Sequence, residues 1–287
     1  MLDPTGGELL PHPVTGRLFA SPVPPGAGWP DDPATPDTAV AAIPVEVAAL
    51  AASASLAEID ARVSVCRACP RLVGWREGVA EVKRASFADQ PYWGRPIAGW
   101  GDERPTVLVI GLAPAANGGN RTGRIFTGDR SGDWLFAGLH RVGLAAQSTS
   151  EHAGDGQRLL HTRMVATVRC APPDNRPTVE ERDTCAPWLL REVTLVAESV
   201  RAVVCLGLYG WDAALRTFRT LGYDVPRPKP KFGHGAEALI GGPHGPLTLL
   251  GCYHPSQQNT FTGKLTEPML DAVLGRAAQF VPAPPGP

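Results

Sequence analysis

Four short runs of the chain are almost continuously apolar: TVLVIGL at 106–112, MVATV at 164–168, RAVVCLG at 201–207 and LTLLGCY at 247–253. Short apolar runs of this kind, without polar alternation, predict strands covered on both faces. Between them the apolar positions recur at helical spacing, over 131–143, 178–199 and 209–219. A last helix is predicted to start near Thr266, with Pro268 in its first turn, and to run through MLDAVLGRAAQF. Proline is tolerated in a first turn because that N–H has no helical partner. Strand–helix alternation predicts an α/β fold: a three-layer α/β/α sandwich around a central, mainly parallel four-stranded sheet. Ligands of such sheets bind beyond the carboxyl ends of the strands. That rule places Gly111–Asp129, Arg169–Arg176 and the stretch after Tyr253 on one rim.

Before residue 56 this pattern is missing. Residues 1–55 are rich in Pro, Ala and Gly, with SPVPPGAGWPDDPATPD as the clearest piece. Proline fixes φ and removes backbone donors, so an extended or partly disordered arm is expected, with a short helix at 45–54. The ordered domain then spans 56–281, and the ending VPAPPGP predicts a flexible tail over 282–287.

Composition narrows the class. A content of 43% hydrophobic and 19% charged residues suits a globular core. No run of about 18 apolar residues is present, so no transmembrane helix is expected. The start MLDPTGGELLPHP has neither the basic nor the apolar part of a secretory signal, and the cytoplasm is the expected location. The net charge of −1 argues against a generic nucleic-acid binder. Its distribution alters that picture. The first 55 residues carry a net of −5, which leaves +4 on the rest, and a mildly basic body can present a local cationic groove.

Six cysteines divide into two sets. Cys205 and Cys252 lie inside apolar strand runs and read as small core residues. Cys66 and Cys69 form a C-x2-C, and Cys170 and Cys185 a C-x14-C. Thiolates at such spacing can converge on one centre. The readings are two unrelated pairs, a zinc site with four cysteine ligands, or a [4Fe–4S] cluster; spacing does not choose between them.

The loop GLAPAANGGNRTGRIFTGD, 111–129, follows the first strand. It is not a P-loop, because Arg124 and Ile125 stand where Lys and Ser/Thr are required. It is not a dinucleotide fingerprint, because Leu112 and Ala113 follow Gly111. Its small residues, Gly111, Ala113 and Ala116 among them, let a flat group approach bare backbone, and Phe126 can stack on it. Asp129 closes the loop. A second motif, YHPSQQN at 253–259, puts His254 at a strand end on a proline-stiffened turn.

The set GLAPA…GRIFTGD, RCAPPDNRP, HPSQQN and the four cysteines resembles the uracil-DNA glycosylase superfamily, most closely its family-5 (type b) members, over roughly 60–280. Family 4 is similar but has an acid where this chain has Leu112. The resemblance implies a [4Fe–4S] cluster on Cys66, Cys69, Cys170 and Cys185, and removal of uracil, with other deaminated bases such as hypoxanthine, from damaged double- or single-stranded DNA. It implies base flipping and hydrolysis of the N-glycosidic bond without a covalent adduct. On this reading His254 meets the carbonyl that becomes anionic, and Asp129 positions water or balances the sugar's charge. Phe126 stacks on the base, Asn175 reads its edge, and Asn259 holds the DNA or the loop. Family members commonly carry histidine after APAA; here Asn117 stands there, a residue that cannot titrate. That departure supports an alternative, an iron–sulfur DNA-binding or damage-sensing module with weak or altered catalysis. A zinc-stabilised nucleotide-binding protein is a more distant one. Arg121, Lys229 and Lys231 are expected at phosphates, and Ser256, Gln257 and Gln258 in the space the base leaves. A monomer is expected.

Overall fold

A computed structural model of the chain describes residues 8–282. The elements in chain order are β1 (Leu10–Pro11), β2 (Leu18–Phe19), α1 (Pro44–Ala52), α2 (Leu56–Ser64), α3 (Pro70–Val82), β3 (Trp100–Gly101) and β4 (Val107–Gly111). There follow α4 (Gly119–Thr122), α5 (Arg130–Arg141), β5 (Thr162–Ala166), α6 (Val179–Val196), β6 (Ala202–Leu206) and α7 (Gly207–Thr220). The chain then runs through β7 (Glu237–Ile240), β8 (Leu247–Cys252), α8 (Gln257–Phe261) and α9 (Glu267–Ala278).

The main sheet has the order β3-β5-β4-β6-β8-β7. Its four inner strands are parallel, and both edge strands run antiparallel to their neighbours. The sheet is therefore six-stranded rather than four-stranded. The four apolar runs are the parallel centre, and the edges were missed for physical reasons. β3 is only two residues long, and β7 alternates exposed and buried positions, as an edge strand does.

Alternate residues of each inner strand enter opposite layers. Val107, Val109, Val204, Leu206 and Leu250 pack with Leu135 and Phe136 of α5 and Leu270 and Leu274 of α9. Leu108, Ile110, Val203, Cys205 and Leu249 pack with Leu189 and Val193 of α6 and Trp211 and Phe218 of α7. This is the expected three-layer sandwich. Cys205 and Cys252 are fully buried in these layers, as expected of core cysteines.

The Pro-rich segment requires a correction. Residues 8–55 are largely extended and carry α1, but they do not stand off as an arm. Phe19, Val23 and Trp29 are buried in the core layer of α5 and α9, and Val47 and Ala51 pack with α2 and Trp188. Asp32 accepts both Nη groups of the buried Arg95, at 2.9 and 3.0 Å. The tail beyond Pro282 lies outside the described residues, as does Asp3. No helix among the described residues is long and apolar enough to cross a membrane.

Candidate active site and cysteine centre

The carboxyl ends of β4 and β8 face each other across a cavity of about 500 Å3. Four backbone facts build it. The lip loop after β4 doubles back, with Phe126 at φ +50°, so that its ring turns onto the strand end. Gly111 makes that possible: a Cβ there would stand 2.6 Å from Phe126 Cζ. Asp129 then caps α5, accepting from Gly132 N at 3.0 Å through Oδ1. Its other oxygen lies over Gly118, where any side chain would collide with it.

From the other side, β8 delivers His254. Asn259 Nδ2 donates to His254 O at 2.9 Å and Ser256 Oγ accepts from Asn259 N at 3.3 Å, so the turn and α8 are locked together. The His254 ring makes no hydrogen bond among the described residues and lies 6.0 Å from the Phe126 ring, tilted by 40°. A third wall comes from the turn after β5. Asp174 and Asn175 both take left-handed backbone, φ +53° and +55°, which projects Asn175 into the cavity.

Burial acts on both titratable groups in the direction of neutrality. The His254 imidazole is pushed down to about 4 and is neutral at physiological pH. The Asp129 carboxyl is raised from its ordinary value by burial, opposed by the N–H groups of Gly132 and Ser131 that favour the carboxylate. The cavity holds a neutral imidazole, a buried carboxyl group and an aromatic wall.

Of the residues singled out from sequence, Ala113, Phe126, Asp129, Asn175, His254, Ser256, Gln257 and Gln258 line this cavity. Gly111 lies beneath Phe126 and does not line it, and Asn259 braces it from behind. Ala116 and Asn117 face elsewhere: both border a separate groove beside α3, and Asn117 Oδ1 accepts from Tyr92 OH at 2.9 Å. Asn117 therefore does not line the cavity in this structure, and the catalytic role expected of it has no contact there to rest on. Arg121 is corrected too. It is 5% exposed and spends its donors on Asn117 O, Gly128 O and Gln90 Oε1, so it stiffens the lip instead of meeting phosphate. Lys229 and Lys231 are exposed but outside the cavity, and Lys229 pairs with Asp212 at 2.7 Å. Their loop still reaches the rim, because His234 Nδ1 accepts from Tyr253 N at 3.2 Å, next to His254. Arg130 and Ser131 also line the cavity; their place in the first turn behind Asp129 was the available signal.

The four predicted cysteines surround a second, apolar-walled cavity. Cys66 follows α2, Cys69 caps α3, Cys170 follows β5 and Cys185 sits on α6. Among the described residues no three His, Cys, Asp or Glu side chains converge closely enough to hold one ion. Burial pushes the thiols of Cys69, Cys170 and Cys185 up to about 12. Buried cations oppose this: Arg76 favours the thiolate of Cys170, and Arg169 that of Cys185. Arg169 Nε and Nη1 are buried donors without a partner among the described residues, while Arg76 and the Trp188 indole turn their buried donors toward the thiols of Cys170 and Cys66. Four thiols and spare buried donors fit an anionic metal–thiolate centre, which those donors would help to neutralise.

The family model described as Uracil DNA glycosylase superfamily matches residues 98–277. The type-5 uracil-DNA glycosylase of Mycobacterium tuberculosis (strain CDC 1551 / Oshkosh) is 58% identical over 270 residues, 94% of this chain and 98% of that protein. That of Thermus thermophilus is 47% identical over 219 residues, 76% of this chain and 94% of its own. A type-4 uracil-DNA glycosylase of Pyrobaculum aerophilum is 27% identical over 161 residues, 56% and 71% of the two chains.

Proposed function

The chain belongs to the uracil-DNA glycosylase superfamily, in its type-5 branch, and on that premise we propose that it excises uracil from DNA in the cavity between Asp129 and His254. The observation that carries this reading is the pairing of a neutral imidazole and a buried carboxylate across one cavity walled by Phe126.

An everted nucleotide enters with its base against Phe126 and the small residues of the lip. The bond between C1′ and the base nitrogen breaks, and its electron pair leaves with the base. His254 donates a hydrogen bond to the carbonyl oxygen on which that charge collects. The sugar becomes oxocarbenium-like, and the Asp129 carboxylate balances its positive charge. Water adds to C1′ and gives its proton to Asp129, leaving an abasic site and free base without a covalent enzyme adduct. Asn175 reads the base edge. The start of α8, Ser256 to Gln258, enters the space left in the duplex, and Lys229 and Lys231 grip phosphates in a salt-dependent manner.

The lip side of the pocket, Leu112 to Ala115 with Ile125 and Phe126, offers a base no polar side chain, and this favours loose base choice, since each good polar base contact supplies only about 1–3 kcal/mol of discrimination. Hypoxanthine is therefore a second substrate in this reading. Cys66, Cys69, Cys170 and Cys185 would hold a [4Fe–4S] cluster, as the donor set and the resemblance support, and its contribution there would be a structural tie between the elements that carry them. The alternative, a sensor with little catalysis, rests on the Asn117 departure alone, and the excision assay decides between the two readings.

The test is incubation with duplexes carrying one uracil or one hypoxanthine, followed by alkali. Strand scission is expected at both, faster at uracil. An intact uracil strand after prolonged incubation would sink the proposal.

A further inference from the structure

On the far side of the lip loop, Ala116 and Asn117 form one wall of a groove whose other wall is the outer face of α3. We propose that this groove takes the unpaired DNA strand flanking the everted nucleotide, with Trp75 as a stacking platform and Lys83 and Arg84 as phosphate partners. The proposal rests on the reading of the neighbouring cavity as the glycosylase site.

The outer face of α3 lacks an explanation from packing. Its buried side is Leu72, Val73, Arg76 and Ala80. Its outer side presents Trp75, 40% exposed, and Val82, 85% exposed. Gly74 and Gly78 lie on the same side, one turn apart, and a Cβ at either would meet nothing within 4 Å. Glycine inside a helix costs about 1 kcal/mol relative to alanine. No crowding requires that cost here, whereas a bare backbone floor lets a sugar–phosphate chain lie close. The groove holds about 460 Å3.

Charge and continuity select the occupant. Lys83 and Arg84 close α3, and neither makes an ion pair among the described residues. Two acids temper them: Glu81 is exposed on the same helix end, and Glu8 lies within Coulombic reach of Lys83. An exposed indole in one groove with cations about two turns further along the helix suits a single strand, because every base offers a π-face and successive backbone units offer phosphates. The lip loop divides this groove from the base cavity, with Ala115 on one side and Ala116 and Asn117 on the other, so the groove adjoins the cavity read as the base site. The two walls are also fastened together: Arg84 N donates to Tyr92 OH at 3.5 Å, and Tyr92 OH donates to Asn117 Oδ1. Asn117 is accordingly a positioning residue that sets the lip against the platform.

Fluorescence anisotropy with uracil-containing single strands and duplexes, at several salt concentrations and alongside excision kinetics, tests this. Trp75→Ala is expected to raise Kd and KM about ten-fold with kcat unchanged, and Trp75→Phe to recover most of the loss. Lys83→Ala with Arg84→Ala is expected to lower the slope of log Kd against log salt by about 1.5. Unchanged melting temperatures establish that the variants fold. Unchanged Kd and slope in both sets would overturn the proposal. So would self-association of the wild type, measured by light scattering, that Trp75→Ala abolishes while DNA affinity holds; that result would assign the face to a second copy of the chain. If the wild type fails to release uracil, the reading of the cavity falls, and the binding comparison still decides the groove.

Discussion

His254 and Asp129 carry the chemistry, and burial moves both toward their neutral forms. The consequences differ. His254, pushed down to about 4, stays neutral and able to donate through the whole working range, so it adds no pH limb there. Asp129 is needed ionised, and its raised pKa means that activity falls on acidification at a pH above the ordinary carboxylate range. His254→Ala is expected to lower kcat by about 100- to 1,000-fold with little change in KM, the size of effect seen when one donor to a developing oxyanion is lost. Asp129→Asn is expected to leave only residual activity, without the acid limb. A kcat–pH profile of the wild type and Asp129→Asn checks this; an acid limb that survives the substitution would place the titrating group elsewhere. At this scale the sequence was informative where strand topology applies. Asp129, Phe126, Asn175 and His254 follow strand ends, and the chain's alternation already put those ends on one rim. It was uninformative about side-chain direction within an irregular loop. Asn117 and Arg121 sit in the same loop as Asp129, yet one bonds Tyr92 and the other the loop's own carbonyls.

At the scale of elements, the four cysteines bring to one cavity the end of α2, the start of α3, the segment after β5 and the body of α6, so a cluster held there would tie these elements together. Purified protein is expected to carry about four irons and to absorb broadly in the visible range. Cys170→Ser, or chelation under reducing conditions, is expected to remove that absorption and to lower Tm by more than about 5 °C, because binding of a structural metal centre adds directly to folding free energy. Cys252→Ala is the control, since it is buried in the core away from the centre and should leave iron content unchanged. Zinc in place of iron by elemental analysis would contradict the assignment. The central strands and the helices α5, α6, α7 and α9 were legible because each is long or strongly patterned, whereas the five-residue α8 was not. The helices α2 and α3 were not, since α3 carries glycines and an exposed tryptophan on its outer face and so breaks the amphipathic pattern.

For the whole molecule, the Pro-rich segment is where composition misled. Phe19, Val23 and Trp29 find slots in the core from proline-stiffened chain, and Val47 and Ala51 do so from α1. His12 of this segment meets His152 of the loop before β5, ring centroids 4.2 Å apart, with Trp29 against both. Burial pushes His12 down to about 4 and His152 down to about 3. Both lie below the ordinary histidine value near 6.5, so their contribution to stability is complete above about pH 6.5 and is lost as pH falls toward 4. By pH 5 the loss is roughly 1–2 kcal/mol for each. Thermal melts at pH 7 and pH 5 are expected to show a fall in Tm that His152→Phe reduces by about half; an equal fall in the variant would assign the acid sensitivity to other groups. The same segment has a further consequence for the lip. A Cβ on Gly123 would stand 2.6 Å from Trp29 Nε1, so the indole rests directly behind the turn of the loop that holds Phe126 and Asp129. A shortened chain beginning at residue 56 would keep its central strands and its cysteines but would lose this backstop. Trimming the low-complexity end for convenience would thus produce a catalyst whose lip is no longer braced from behind.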